Sequence, residues 1–158
     1  MASLIIKPSP HPSTLSPLRK HTPGMSDAQP ASGERYRRGL AQLEKMGGES
    51  VQSMLGNIQD LSPDLARITV EFPYGDILSR PGLDLRSRQI ATVAALTALG
   101  NAPVQLRAHI DMALAVGCTE EEIKEVIIQM AVYAGFPAAL NGMAAALEVF
   151  SAREKRGV

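Results

Sequence analysis

The chain has 158 residues, 45% of them apolar and 20% charged, which is room for one soluble domain with a real core. Sixteen basic residues balance sixteen acidic ones, so no net field draws nucleic acid or an anionic membrane to the protein. Cys118 is the single cysteine, which excludes an internal disulfide and a dithiol redox cycle within one subunit.

No apolar stretch is long enough to span a bilayer, and the short Leu4-Ile5-Ile6 run, broken by Pro8, is no signal-peptide core; a reducing cytoplasm is the expected location. Residues 1–32 carry Pro8, Pro10, Pro12, Pro17, Pro23 and Pro30 and show no sustained periodicity. They read as a disordered extension, with Met25 a candidate initiator. From residue 33 to 158 the texture is that of one helical domain. Tyr36, Leu40 and Leu43 fall at helical spacing before Gly47-Gly48, and a short helix is expected over 50–58. Ser62-Pro63 has the form of an N-cap followed by proline at the first helical position, with Leu65, Ile68, Thr69 and Phe72 as the expected buried stripe. Pro73 should kink or end that helix, and 79–82 reads as a turn.

Asp84 can cap the next helix, whose stripe is Ile90, Val93, Ala94, Thr97 and Ala98, closed by Gly100-Asn101. A helix over 103–116 puts Leu106, His109, Ile110, Ala113 and Leu114 on one face and stops at Gly117. Thr119 and Glu122 form a capping box ahead of Ile123, Val126, Ile127, Met130, Ala131 and Ala134. A last helix from near Pro137 is expected to bury Leu140, Met143, Leu147 and Phe150. No segment alternates with period two, so the fold class is all-α. Small and apolar residues on several sides of the last helices (Met130, Ala138, Ala139 and 143–146) exceed what one bundle face needs and point to subunit contacts.

Three features depart from ordinary helical patterning. His109 sits on an apolar face, either as a hydrogen-bonded core residue or as a partly desolvated imidazole suited to proton exchange. Arg80, Arg86 and Arg88 cluster around one turn, and Arg86 leads the stripe of Ile90; a buried guanidinium needs an anion, either an internal carboxylate, Glu71 or Asp76, or a bound carboxylate. Glu71 and Asp76 bracket Pro73-Tyr74-Gly75, where a proline-interrupted helix either lines a cavity or simply kinks. Cys118, without a resolving cysteine, reads as a small buried residue. No metal-ligand spacing and no nucleotide-binding glycine loop is present, and the other two histidines, His11 and His21, lie in the extension.

The run EFPYGDILSRPGLD at 71–84 resembles the stretch leading into the domain of the carboxymuconolactone decarboxylase family. RSR at 86–88, LTALGN at 96–101, QLRAH at 105–109, GCTEEEI at 117–123 and VYAGFPA at 132–138 follow at consistent spacing, so the similarity covers about 35–151. The resemblance implies an alkylhydroperoxidase D-like helical bundle whose subunits pair and assemble into rings, commonly hexamers. Relatives with thiol peroxidase activity carry C-x-x-C-x-x-x-H and an upstream glutamate. His109 matches that histidine, but Ala102 and Gln105 stand at the cysteine positions and Gln89 near the glutamate, which leaves no dithiol for peroxidase chemistry.

What the resemblance implies is a decarboxylase that needs no cofactor or metal and acts on γ-carboxymuconolactone or a related small lactone or carboxylic acid. The substrate's conjugated lactone carbonyl is its own electron sink. Arg86 and Arg80 would grip the carboxylates, with Arg88 beside them. His109 would carry the proton, and Glu71 or Asp76 would orient His109 or an arginine. Pro73-Tyr74 replaces the Cys-Trp of close decarboxylases, which puts Tyr74 on the expected pocket wall. A peroxidase using Cys118 or an intersubunit thiol, and a non-catalytic ligand-binding scaffold, are the alternatives.

Overall fold

A computed structural model describes residues 33–157; the Pro- and Ser-rich stretch read as an extension lies outside them. Eight helical elements follow in order: α1 (Glu34–Lys45), α2 (Glu49–Gln59), α3 (Pro63–Thr69), a π-helix (Val70–Leu78), α4 (Leu85–Leu99), α5 (Pro103–Ala115), α6 (Glu120–Ala134) and α7 (Phe136–Arg156). Among the described residues there is no strand, and no helix is long and apolar enough to cross a membrane.

Local chemistry sets most of the boundaries. Asp84 accepts the backbone N–H of Ser87 at 2.9 Å and so starts α4, and Gly100 takes the left-handed conformation that ends it. The capping box at α6 is complete: Thr119 Oγ1 accepts from the Glu122 N–H at 3.2 Å and Glu122 Oε2 accepts from the Thr119 N–H at 2.9 Å. Ser62 precedes Pro63 as expected, but its side chain makes no capping hydrogen bond.

The α-helix ends ahead of Pro73, as expected, but the chain's helical course continues. Proline has no N–H for the Thr69 carbonyl, so the α register ends at Thr69 and the wider π register carries the chain through to Leu78. The π-helix lies hard against α1: a Cβ on Gly39 would sit far inside contact distance of the Val70 carbonyl oxygen, so only glycine permits this approach.

Two apolar clusters result. One joins α4 to α7 through Val93, Leu106, Ile110, Ile123, Ile127 and Ala146; the other joins α1, α2, α3 and the π-helix through Leu43, Met46, Val51, Val70 and Tyr74, with Met112 reaching in from α5. α5 therefore serves both.

One expected stripe is overturned and a second holds only in part. Leu65, Ile68 and Phe72 are about half exposed, and the buried side of that segment is Ala66, Val70, Glu71 and Tyr74. On α7, Met143 and Phe150 pack against the core as expected, but Leu140 and Leu147 face outward and Ala139, Gly142, Ala145, Ala146 and Val149 are the buried residues. The reason is close approach. A Cβ on Gly142 would meet Thr97 Cγ2 at 2.8 Å and Ile127 Cγ2 at 3.1 Å, so α7 can reach α4 and α6 only with its smallest residues inward. Both segments are apolar on two sides, and one subunit covers only one of them.

Candidate active site

Between the two clusters lies a cavity of about 1030 Å³. α2 contributes Val51 and Ile58, α3 Leu65 and Thr69, and the π-helix Pro73 and Tyr74; α5 presents Val104, Gln105, Arg107, Ala108, His109 and Asp111, and α7 adds Glu148, Val149, Ala152, Lys155 and Arg156. The walls are largely apolar, with few polar groups converging on them, the usual character of a small-molecule site.

His109 is the central polar group. Its Nδ1 lies 2.9 Å from Gln89 Oε1, and Gln89, fully buried on α4, donates its Nε2 hydrogen to Met46 Sδ at 3.2 Å. His109 lines the cavity, and among the described residues no hydrogen bond engages its Nε2. Burial pushes the imidazole down to about 4, so the ring is neutral at pH 7. Tyr74, 5% exposed and also on the lining, is pushed up to about 12 by burial and remains a neutral hydroxyl donor.

The charged lining is mostly paired. Arg107 meets Glu148 at 3.3 Å, and Asp111 receives Arg153 at 2.8 Å and Arg156 at 3.3 Å. Lys155 has no ion pair among the described residues, which leaves three cations on the wall against two carboxylates.

The other residues singled out from the sequence lie away from this lining. Arg86 forms an ion pair with Glu122, and its Nε donates to the Gly117 carbonyl at 3.4 Å. Its carboxylate partner is therefore neither Glu71 nor Asp76: the first turns of α4 and α6 lie side by side, and the capping-box glutamate is what Arg86 meets there. Arg88 donates to the carbonyls of Leu83 and Arg80, both at 3.0 Å, which stitches the turn. The Arg80 side chain is exposed. Glu71, buried, pairs with Arg67 at 2.7 Å, while Asp76 pairs with Arg35 and with Arg38 at 3.1 Å. Each of these carboxylates orients an arginine, and the residue holding His109 is Gln89. Gln89 shares the register of Val93 and Thr97, four and eight residues on; a polar group leading that buried stripe was the signal for it.

Cys118 is 5% exposed, with Sγ 3.9 Å from the Arg86 carbonyl oxygen, and burial pushes its thiol up, away from the thiolate form. Ala102 and Gln105, at the positions of the missing cysteine pair, lie at the N-terminal end of α5, Ala102 as its N-cap and Gln105 one turn before His109.

The Carboxymuconolactone decarboxylase family profile matches residues 63–148, from the start of α3 into α7. The chain is 37% identical over 118 residues, 74% of its own length and 87% of the relative's, to 4-carboxymuconolactone decarboxylase of Acinetobacter baylyi. It is 33% identical over 99 residues to an uncharacterised 15.0 kDa protein of Paracoccus denitrificans, covering 62% of this chain and 74% of that one. Nitrosuccinic acid decarboxylase of Metarhizium robertsii is 31% identical over 98 residues, 62% of this chain and 68% of the relative.

Proposed function

Because the chain belongs to the carboxymuconolactone decarboxylase family, we propose that it is a carboxy-lyase that releases CO2 from γ-carboxymuconolactone or a related small lactone or carboxylic acid, within the cavity that holds His109. The observation that carries the assignment to this cavity is a buried imidazole with Nδ1 held by Gln89, on the wall of a largely apolar space that Lys155 also lines.

The chemistry asks for an electron sink, a grip on carboxylate and a proton. γ-Carboxymuconolactone supplies the sink through its conjugated lactone carbonyl, and nitrosuccinic acid supplies one through its nitro group. When the C–C bond to the carboxylate breaks, its electron pair moves into that acceptor and CO2 departs. Lys155, Arg107 and Arg156 draw the carboxylates to the wall they line. The Tyr74 hydroxyl, neutral across the working pH range, is the donor offered to the developing oxyanion. His109 then hands a proton to carbon from Nε2. The imidazole takes up that proton from solvent as the substrate binds, because an anion beside it favours the charged ring. One proton is consumed per CO2 released, and His109 returns to its neutral form.

In this reading Arg80, Arg86 and Arg88 shape the turn ahead of α4 and do not touch the substrate within their own subunit. Self-association into a dimer-based ring, a hexamer by family resemblance, is part of the proposal. Its support is the outward apolar surface of Phe72, Val132, Phe136, Leu140 and Leu147, which is more than an isolated subunit leaves bare without purpose. A cytoplasmic setting suits an unpaired, buried thiol at Cys118.

The test is to incubate the protein with γ-carboxymuconolactone, nitrosuccinic acid and a panel of keto acids while monitoring CO2. Release from at least one lactone or activated acid is expected. Folded protein that releases none from any of them rejects the proposal. Sedimentation at micromolar concentration should show an oligomer, and a stable monomer would contradict the assembly.

A further inference from the structure

We propose that Gln89 is a positioning residue that fixes His109 as the Nδ1–H tautomer, and that Met46 in turn locks the orientation of the Gln89 amide. The inference deepens the decarboxylase reading, on which only its catalytic consequence rests.

The geometry makes a chain of three buried groups. Gln89 and Met46 are both fully buried, so neither amide nor thioether has water to fall back on. The amide has two ends with opposite needs. One faces Met46 Sδ at 3.2 Å; the other faces His109 Nδ1 at 2.9 Å. A thioether sulfur has lone pairs and no hydrogen to give, so it accepts an N–H and repels a carbonyl oxygen. The NH2 therefore points to Met46, the carbonyl oxygen points to His109, and Nδ1 must be the nitrogen that carries the hydrogen. Nε2 is left with the lone pair, on a ring that lines the cavity.

The consequence separates Gln89 from a carboxylate at the same place. An amide oxygen orients the ring but brings no charge, so it does little to favour imidazolium before the substrate arrives. The charged groups sharing the wall do not replace it: Arg107 and Asp111 on α5 and Glu148 and Arg156 on α7 are engaged in ion pairs, and the remaining groups, Lys155 of α7 and Tyr74 of the π-helix, are a cation and a neutral phenol. His109 is thus held ready to take up a proton at Nε2 only when an anion enters. Consistent with this, burial keeps the free ring neutral down to about 4.

The tautomer is read directly by long-range 1H–15N correlation of the imidazole signals in the full-length protein, with His109 identified by its loss in His109→Gln. At pH 7 the expected result is a protonated Nδ1 and an unprotonated Nε2. In Met46→Leu, which keeps the volume but removes the sulfur, both tautomers should become populated. In Gln89→Glu the His109 titration should rise by about one to three pH units, and the pH profile of CO2 release should move the same way. A ring protonated on Nε2 in the unsubstituted protein overturns the proposal, as does an unmoved His109 titration in folded Gln89→Glu. Because the tautomer is measured without turnover, the proposal stands or falls separately from the decarboxylase assignment.

Discussion

The turn ahead of α4 and the His109–Tyr74 part of the cavity treat titratable groups in opposite ways. Around the turn, Arg86 is held by Glu122, Arg88 by two backbone carbonyls and Asp84 by the first turn of its own helix. The partners reinforce the charges: the Ser87 N–H keeps Asp84 below the usual carboxylate range, the Thr119 N–H and then Arg86 do the same for Glu122, and Glu122 raises Arg86. In the cavity, His109 and Tyr74 have no ionic partner, and burial drives each toward its neutral form. Around the turn, the paired charges are fixed and serve the fold. A titratable group that is buried, neutral and on a cavity wall can change its protonation when an anion enters, and that is the property a decarboxylase needs.

The largest effect that separates the two regions is on turnover. Replacing His109 by Gln keeps a hydrogen-bonding side chain but removes the proton carrier, and should lower CO2 release by about a hundred- to ten-thousand-fold. Arg86→Ala should leave the larger part of turnover in place. Equal losses in the two variants, measured with the same substrate, would erase the distinction between a structural turn and a catalytic cavity.

Next in size is an acid-linked loss of stability confined to the cavity. In the unfolded chain His109 takes its proton near 6.5, whereas the folded protein resists until about 4. As pH falls through 6.5 the unfolded state binds a proton that the native state refuses, so this contribution is complete above that value and drains away toward 4. The interval corresponds to on the order of 3 kcal/mol. Denaturant unfolding of the unsubstituted protein and of His109→Gln at neutral pH and near pH 4 measures it as a difference, in which the carboxylates of the turn cancel. His109→Gln should lose less on acidification. Parallel losses would mean that the imidazole is not held neutral by its surroundings.

Much of this arrangement was legible in the sequence wherever the determining chemistry is local. Asp84, Gly100, Gly117 and the Thr119–Glu122 box mark helix ends through contacts spanning only a few residues, and His109 stands out as a titratable group on an apolar face. The illegible parts are set across the fold. Leu140 and Ala139 are both apolar, and only the close approach of α7 to Thr97 and Ile127 decides that the small residue goes inward. Pro73 signals that the α register must end, but not that a π register replaces it. The partner of Arg86 lies 36 residues away on another helix, and a guanidinium at the head of a stripe carries no mark of which carboxylate it will meet. Gln89 was half visible: it stands near the glutamate position of the peroxidase relatives and leads a buried stripe, but its role is fixed only once His109 and Met46 are placed at its two ends.

The smallest of these effects tests whether the turn and the cavity are independent. Thr119 Oγ1 caps the Glu122 N–H, and the same Glu122 side chain reaches back to the Thr119 N–H while holding Arg86. Thr119→Ala removes the hydroxyl from this junction and should cost about 1 kcal/mol in thermal or denaturant unfolding. Neither Thr119 nor Glu122 lines the cavity, so the His109 titration and the pH profile of CO2 release should be unchanged. If the profile shifts together with stability, strain at the start of α6 is transmitted through Arg86 along α4 to Gln89, and the two regions would have to be treated as one coupled unit.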